Sequence, residues 1–277
     1  MTDASLVKDK NGIYVSREGF GAISYPDAGN DECFDIEKDS FWFTHRNEVI
    51  KKLMTRYPHE GNFADIGGGN GYQADFIQRN FKDKEVFLIE PGYAGCLNAT
   101  KYGVANVYNI PFQRFDFEGH QIGGIGLFDV VEHIENDVEF LREIAAACRP
   151  GTVVYMTVPA YKLLWSDADD YAGHYKRYNT PAIKSLAKKA GLGLLYSGYF
   201  MSYLPAPIFL ARSLPYRFRG KRDFKVIAHE STGNHKSGAV SRMILKVFNA
   251  TEIGLLDTVG RIPFGSSCLA IFKTGNR

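Results

Sequence analysis

Asp65-Ile66-Gly67-Gly68-Gly69-Asn70-Gly71 follows a short apolar run and precedes a segment with helical character. The next apolar run, Val86-Phe87-Leu88-Ile89, ends at Glu90. Together they spell a strand, a glycine turn, a helix and a second strand closed by a carboxylate, the nucleotide-binding half of a doubly wound α/β sheet. Glycine is required in such a turn because a Cβ would block the tight bend and hold a ligand off the backbone. A carboxylate at the second strand end suits a ribose, since it accepts charge-assisted hydrogen bonds from both hydroxyls.

The turn does not suit a dinucleotide. Counting G-x-G-x-x-G from Gly67, the third glycine position holds Tyr72. That glycine lets the helix approach the strand and exposes amides to a pyrophosphate. Asp65 also puts a negative charge beside the turn, which repels a diphosphate and attracts a cation. The arrangement (D/E)-x-G-x-G-x-G with a following acidic strand end resembles the class I S-adenosylmethionine (SAM) methyltransferases, whose cofactor carries an amino group and a sulfonium and no phosphate.

Further motifs extend the resemblance. Phe128-Asp129-Val130-Val131-Glu132-His133-Ile134 follows the glycine-rich run Ile122 to Leu127. A helix-like segment, Val138 to Cys148, then leads through Arg149-Pro150-Gly151 to the strand-like Thr152 to Val158. This succession is similar to the fourth strand, connecting helix, turn and fifth strand of that superfamily. Phe41-Trp42-Phe43 with Arg46, the TVPAY run, the LWSDADDYAGHYKRY run and the late RIPFGSS run resemble the bacterial type 11/12/23 methyltransferase subgroup, over about residues 41 to 273.

The resemblance implies SAM as cofactor, S-adenosylhomocysteine as product, and a set of site residues. Asp65, Gly67, Gly69, Glu90, Asp129 and Val130 would bind the cofactor, with Asn109 at the adenine amino group and Ile110 on the ring face. Phe43, in the aromatic trio, would roof a sulfonium or simply belong to the apolar face of the first helix. Arg46 would pair with the SAM carboxylate. Tyr161, Trp165, Arg177 and Tyr178 are expected to contact the acceptor, though Arg177 could instead pair with Asp167 or Asp170.

Two histidines are candidate bases. His174 lies in a polar, aromatic loop after the fifth strand and titrates in the useful range; His133 follows the fourth strand. Each also has a structural reading, His133 as a backbone-bonding histidine and His174 as part of a loop supporting the helix capped by Thr180 with Pro181 at its first position. Asn109-Ile110-Pro111-Phe112 matches the N-x-P-(Y/F) signature of adenine N6-methyltransferases, but it falls at the third strand end, and Asp129-Val130-Val131 holds the fourth-strand slot.

Composition narrows the partners. With 33 Lys and Arg against 31 Asp and Glu, the net charge of +2 gives no global nucleic-acid field. Cys33, Cys96, Cys148 and Cys268 are scattered without a C-x-x-C pair. A reducing, cytoplasmic location is therefore expected, with no disulfide framework and no metal site. The N-terminus carries no basic start followed by an apolar stretch, so no secretory signal is read there.

The expected fold is α/β, a doubly wound, mainly parallel seven-stranded sheet. Residues 1–60 read as an N-terminal arm and a helix capped by Ser40. Residues 61–200 read as the SAM-binding core, 201–265 as an insertion, and 266–277 as the last strand of the core. The insertion opens on an apolar stretch, Tyr199 to Ala211, broken by Pro205 and Pro207 and trailed by Arg212, Arg217, Arg219, Lys221 and Arg222. It reads as a lid over the acceptor, with contact to an anionic membrane surface as the weaker alternative.

These features point to methyl transfer by in-line displacement to a small-molecule or glycan- or lipid-linked acceptor, O-methylation ahead of N-methylation. A nucleic-acid or protein methyltransferase, and a degenerate fold used only for binding, are the rival readings.

Overall fold

The structure, a computed structural model, describes residues 6–17, 34, 37, 38, 40–218 and 239–275. Cys33, Arg219, Lys221 and Arg222 lie outside the described residues. Nine strands form one sheet: β1 (Leu6–Lys8), β2 (Tyr14–Ser16), β3 (Asn62–Ile66), β4 (Val86–Ile89), β5 (Asn106–Asn109), β6 (Ile122–Phe128), β7 (Val153–Pro159), β8 (Leu192–Phe200) and β9 (Ser267–Thr274). Their order across the sheet is β1-β2-β5-β4-β3-β6-β7-β9-β8. The run from β2 to β7 is parallel, while β1 pairs antiparallel with β2, and β9 lies antiparallel between β7 and β8.

The sheet is thus mixed and has nine strands where seven were expected. The two additional strands come from the N-terminal segment that reads as an arm. Each is only three residues long, too short to leave a periodic signature. Asp9 closes their turn, its carboxylate accepting from the Asn11 and Ile13 amides at 2.8 and 2.9 Å. Tyr14 stacks on Tyr108 of β5 with ring centroids 4.5 Å apart, fastening the hairpin to the sheet edge.

Helix α1 (Phe41–Arg56) begins as its sequence suggests, with the Ser40 hydroxyl accepting from the Trp42 amide. Val49, Ile50, Leu53 and Met54 recur at helical spacing and are buried against one face of the sheet. The connecting helices are α2 (Tyr72–Asn80), α3 (Tyr93–Tyr102), α4 (Asp137–Ala147), the short α5 (Asp167–Ala172) and α6 (Thr180–Ala190). The cap of α6 is Asn179, whose side chain accepts from the Ala182 amide, and not Thr180 as expected. Asn and Thr are adjacent here and both are competent caps, so the pattern alone leaves a one-residue choice.

The glycines of β6 answer to close packing. A Cβ on Gly123 would stand 1.5 Å from the Glu60 carbonyl oxygen, and one on Gly124 would enter the His59 ring. These glycines let the loop before β3 lie directly on the central strand.

Two apolar layers sandwich the sheet. One includes Ile125, Leu127, Leu141, Ile144 and Phe272; the other includes Ile50, Leu53, Phe63, Leu88 and Ile271. Strand order reverses between β3 and β6, so a crevice opens at their C-terminal ends, where an open α/β sheet binds ligands.

Between β8 and β9 the described residues form helical turns at Pro205–Ile208, Phe209–Ser213 and Leu214–Phe218, then helix α7 (Ala239–Thr258). A buried contact ties α7 down. Glu252 accepts from the amides of Met201 and Ser202 at 2.7 Å each and lies 2.8 Å from Nε2 of His45 on α1. No helix among the described residues is long and apolar enough to cross a membrane.

Candidate active site

The crevice contains a cavity of about 660 Å³. One half is built on the glycine turn. Gly67, Gly69 and Gly71 have φ of +67°, +52° and +79°, conformations that L side chains rarely adopt. Gly68 is held by contact instead: a Cβ there would lie 2.3 Å from Leu88 Cδ1 and 2.6 Å from Asp65 Oδ2. Val130 packs against this turn, its Cγ2 3.0 Å from where a Gly67 Cβ would sit.

Asp65 ends β3 fully buried, and neither carboxylate oxygen has a hydrogen-bond partner. Burial pushes its pKa up to about 7; Arg46 opposes this and Glu90 adds to it. An unpartnered buried carboxylate costs free energy until a cation or donor meets it. The Glu90 carboxylate accepts from the Gly92 amide at 2.6 Å and the Gly69 amide at 3.0 Å, which fixes its orientation at the end of β4.

Across the cavity Arg46 pairs with Asp129, and its guanidinium lies over the rings of Trp42 and Phe43 at 4.4 and 5.0 Å. Its Nε is buried with no partner. Asp129 has φ of +57°, rare for a non-glycine residue, and also accepts from the Thr157 hydroxyl at 3.2 Å. Strained backbone of this kind persists where the surrounding structure holds it, often at functional sites.

These groups fit SAM. Asp65 would meet the amino group, Glu90 the ribose hydroxyls, and Arg46 with its free Nε the carboxylate. When bound, SAM supplies a methyl carbon made electrophilic by the sulfonium.

Two expected cofactor contacts fall elsewhere. The Asn109 amide donates to the carbonyls of Glu90 and Pro91 at 3.1 and 2.8 Å, and Ile110 is wholly buried in the core. Neither lines the cavity, whose wall there is Pro111, Phe112 and Gln113. The chain turns at Pro111, so the residues past the strand end face the crevice.

The other half, where an acceptor would lie, is formed by the short helical turn Val131–His133 and the loop after α5. His133 and His174 line it together, their rings 4.8 Å apart and nearly perpendicular. Asp169 lies 2.9 Å from Nδ1 of His174 and is also held by Arg177, at 2.6 Å from Nε and 3.0 Å from Nη2. Burial would raise the Asp169 pKa, but the hydrogen bonds from His174 and Arg177 outweigh it and keep the carboxyl low. His133 is driven down to about 4, first by burial and then by the adjacent His174.

Arg177 thus reaches the cavity paired with Asp169, correcting the expected Asp167 or Asp170. Those two precede and follow it within α5; Asp169 accepts from Nε and Nη2 of Arg177. Tyr161, Trp165 and Tyr178 do not line the cavity. Tyr178 is buried and donates to Asp137 at 2.9 Å, Tyr161 stacks on Tyr199, and Trp165 donates to Asp170. Their aromatic character serves packing around the loop.

Sequence reasoning also left out Glu132, 1 % exposed, with Oε2 unpartnered. Its pKa is raised well above the ordinary value, by burial first and by Asp129 second. Its adjacency to His133 was the available signal. Ile208 and Arg212, from the segment after β8, complete the wall.

The sequence profile of the family described as a methyltransferase domain matches residues 42–197. The chain belongs to that family. It is a SAM-dependent methyltransferase of class I.

No curated protein sequence matches it significantly. Solved structures share its fold. A chain of the complex between the Haloferax volcanii Trm112 methyltransferase activator and a methyltransferase superposes with TM-score 0.52 at 14% identity, covering 91% of this chain and 95% of that one. A sarcosine dimethylglycine methyltransferase from Galdieria sulphuraria gives 0.51 at 13%, over 84% and 87%. Phosphoethanolamine N-methyltransferase 2 of Haemonchus contortus gives 0.52 at 17%, over 92% of this chain and 59% of that longer one.

Proposed function

We propose that this methyltransferase acts on a hydroxyl of a small-molecule acceptor, free or carried on a glycan or lipid, by in-line displacement. The observation that carries the reading is the imidazole of His174, which lines the acceptor half with Nδ1 committed to Asp169. A carboxylate on Nδ1 leaves the lone pair on Nε2 and stabilises the ring once it is protonated. Nε2 is then the nitrogen available to take a proton from a hydroxyl as it attacks the methyl carbon. His133 beside it, held neutral to about pH 4, adds no positive charge against that protonation.

The protein's part is otherwise positional. Glu90, Asp65 and Arg46 would fix the donor, and Ile208 and Arg212 close the far wall, which supports reading 201–265 as a cap. Alignment within the cavity supplies a large part of the acceleration for a displacement that needs no covalent enzyme intermediate.

The test is incubation with methyl-labelled SAM and a cell extract, followed by fractionation. Label in a small-molecule, glycan or lipid fraction that survives alkali as a methyl ether supports the reading. Label in protein or nucleic acid, on nitrogen, or as an alkali-labile ester, overturns it.

A further inference from the structure

Glu132, His133 and His174 bring one carboxylate and two imidazoles together, with no two of their ligand atoms farther apart than 4.8 Å. Donors bound at about 2.1 Å to one tetrahedral ion stand roughly 3.4 Å apart. Side-chain adjustments of about an ångström would therefore close this set on a single cation.

Three observations single it out from an ordinary polar cluster. Glu132 is 1 % exposed, and its Oε2 has no hydrogen-bond partner. Each imidazole is oriented by a second group, His174 by Asp169 at 2.9 Å and His133 by a hydrogen bond with the Ala172 main chain. Metal-bound histidines almost always use their other ring nitrogen in this way. All three residues also line the acceptor half of the cavity, so a bound ion would keep a coordination position open to a ligand.

We infer that Glu132, His133 and His174 form a binding site for one divalent transition-metal ion of the zinc type in the acceptor half of the cavity. Two nitrogens and one carboxylate oxygen select such ions over magnesium or calcium, which prefer all-oxygen shells. The ion has a place in the proposed chemistry. An acceptor hydroxyl bound at the open position has its proton affinity lowered; the O–H bond breaks, the proton passes to solvent, and the oxygen keeps the electron pair with which it attacks the methyl carbon. In the loaded site Nε2 of His174 is a ligand, so the ion replaces that nitrogen as the group that activates the hydroxyl, and the base role belongs to the ion-free protein. This role rests on the hydroxyl-acceptor reading; the binding of the ion does not.

The test uses the full chain, stripped with chelator and dialysed, then titrated with Co²⁺ followed by visible absorption and with Zn²⁺ followed by calorimetry. SAM affinity is measured on the same samples. The expected result is one equivalent of ion per chain with the absorption of cobalt in a nitrogen-containing shell. His174→Ala and Glu132→Gln should each weaken the ion at least ~10-fold while SAM binding persists. Wild-type protein that takes up no ion while binding SAM would overturn the site and leave the methyltransferase assignment standing. So would an affinity unchanged in both variants, whose folding is checked by circular dichroism. Stoichiometric ion binding with label transferred only to nitrogen keeps the site and removes the hydroxyl role.

Discussion

Replacing Asp65 with asparagine should weaken SAM while leaving the ligand-free protein at least as stable at pH 8. Asp65 is fully buried without a partner, and its pKa rises from 3.8 to about 7. At ~1.4 kcal/mol per pH unit, ionising it in the empty protein costs on the order of 4 kcal/mol at pH 8. The sign follows from the raised folded value. The neutral carboxyl is tolerated fully below 3.8, and stability is lost as pH climbs toward 7. A bound ammonium group reverses the preference by pairing with the ionised form. Below pH 7 binding must therefore expel a proton, and apparent SAM affinity should fall about tenfold per pH unit.

Calorimetry between about pH 5.5 and 7.5, in buffers of different ionisation enthalpy, measures both the slope and the released proton. Asp65→Asn should flatten the profile and weaken SAM roughly 10- to 100-fold at the upper end, the span of a charge-assisted hydrogen bond. A flat wild-type profile with no proton release would refute the assignment of Asp65 to the amino group.

Glu90→Ala should lower SAM affinity about 10- to 100-fold by calorimetry, with the fold intact by circular dichroism. His174→Ala should reduce turnover by about 10²–10⁴ with SAM affinity nearly unchanged, and near-native turnover from pH 6 to 9 would return the residue to a structural role. Gly68→Ala should abolish SAM binding, because its Cβ meets Leu88 and Asp65 at 2.3 and 2.6 Å; retained affinity would mean that the turn can relax. Glu252, buried but held low by hydrogen bonds from His45 and Ser202, contributes stability above the ordinary carboxylate pKa that is lost as pH falls through its lower folded value. Hydrogen exchange in α7 should accordingly rise on acidification, and much less so in Glu252→Gln.

The central strands were legible because burial on both faces makes them uninterrupted apolar runs. Val86–Ile89 coincides with β4, and the run Ile122 to Leu127 falls within β6. The edge hairpin was not legible, since three-residue strands carry too few positions to show a period. Its attachment depends on the Tyr14–Tyr108 stack, a contact across 94 residues that no local pattern encodes. The candidate site residues split the same way. Asp65, the glycines and Glu90 sit at or beside strand ends and are fixed by register, so spacing places them on the cavity. Ile110 lies one residue past a strand end, where a single bend decides between cavity and core.

The acceptor half was harder to read because its chemistry depends on side-chain pairing within one loop. Asp167, Asp169 and Asp170 are equivalent in sequence, yet Asp169 holds His174 and Arg177 while Asp170 accepts from Trp165 and Tyr216. A shared logic nevertheless joins the two halves. Asp65 and Glu132 are both almost wholly buried carboxylates with unpartnered oxygens, one facing each half of the same cavity. Two of the arginines that line the cavity are held by other carboxylates, Arg46 by Asp129 and Arg177 by Asp169. Uncompensated buried carboxylates are costly and persist where a ligand offsets them. In the proposed reading the SAM ammonium would do this for Asp65. Glu132 calls for a second positive centre, and the two imidazoles beside it, each already oriented, make that centre a metal ion in preference to an ammonium, which two neutral imidazoles would not need to be positioned to receive.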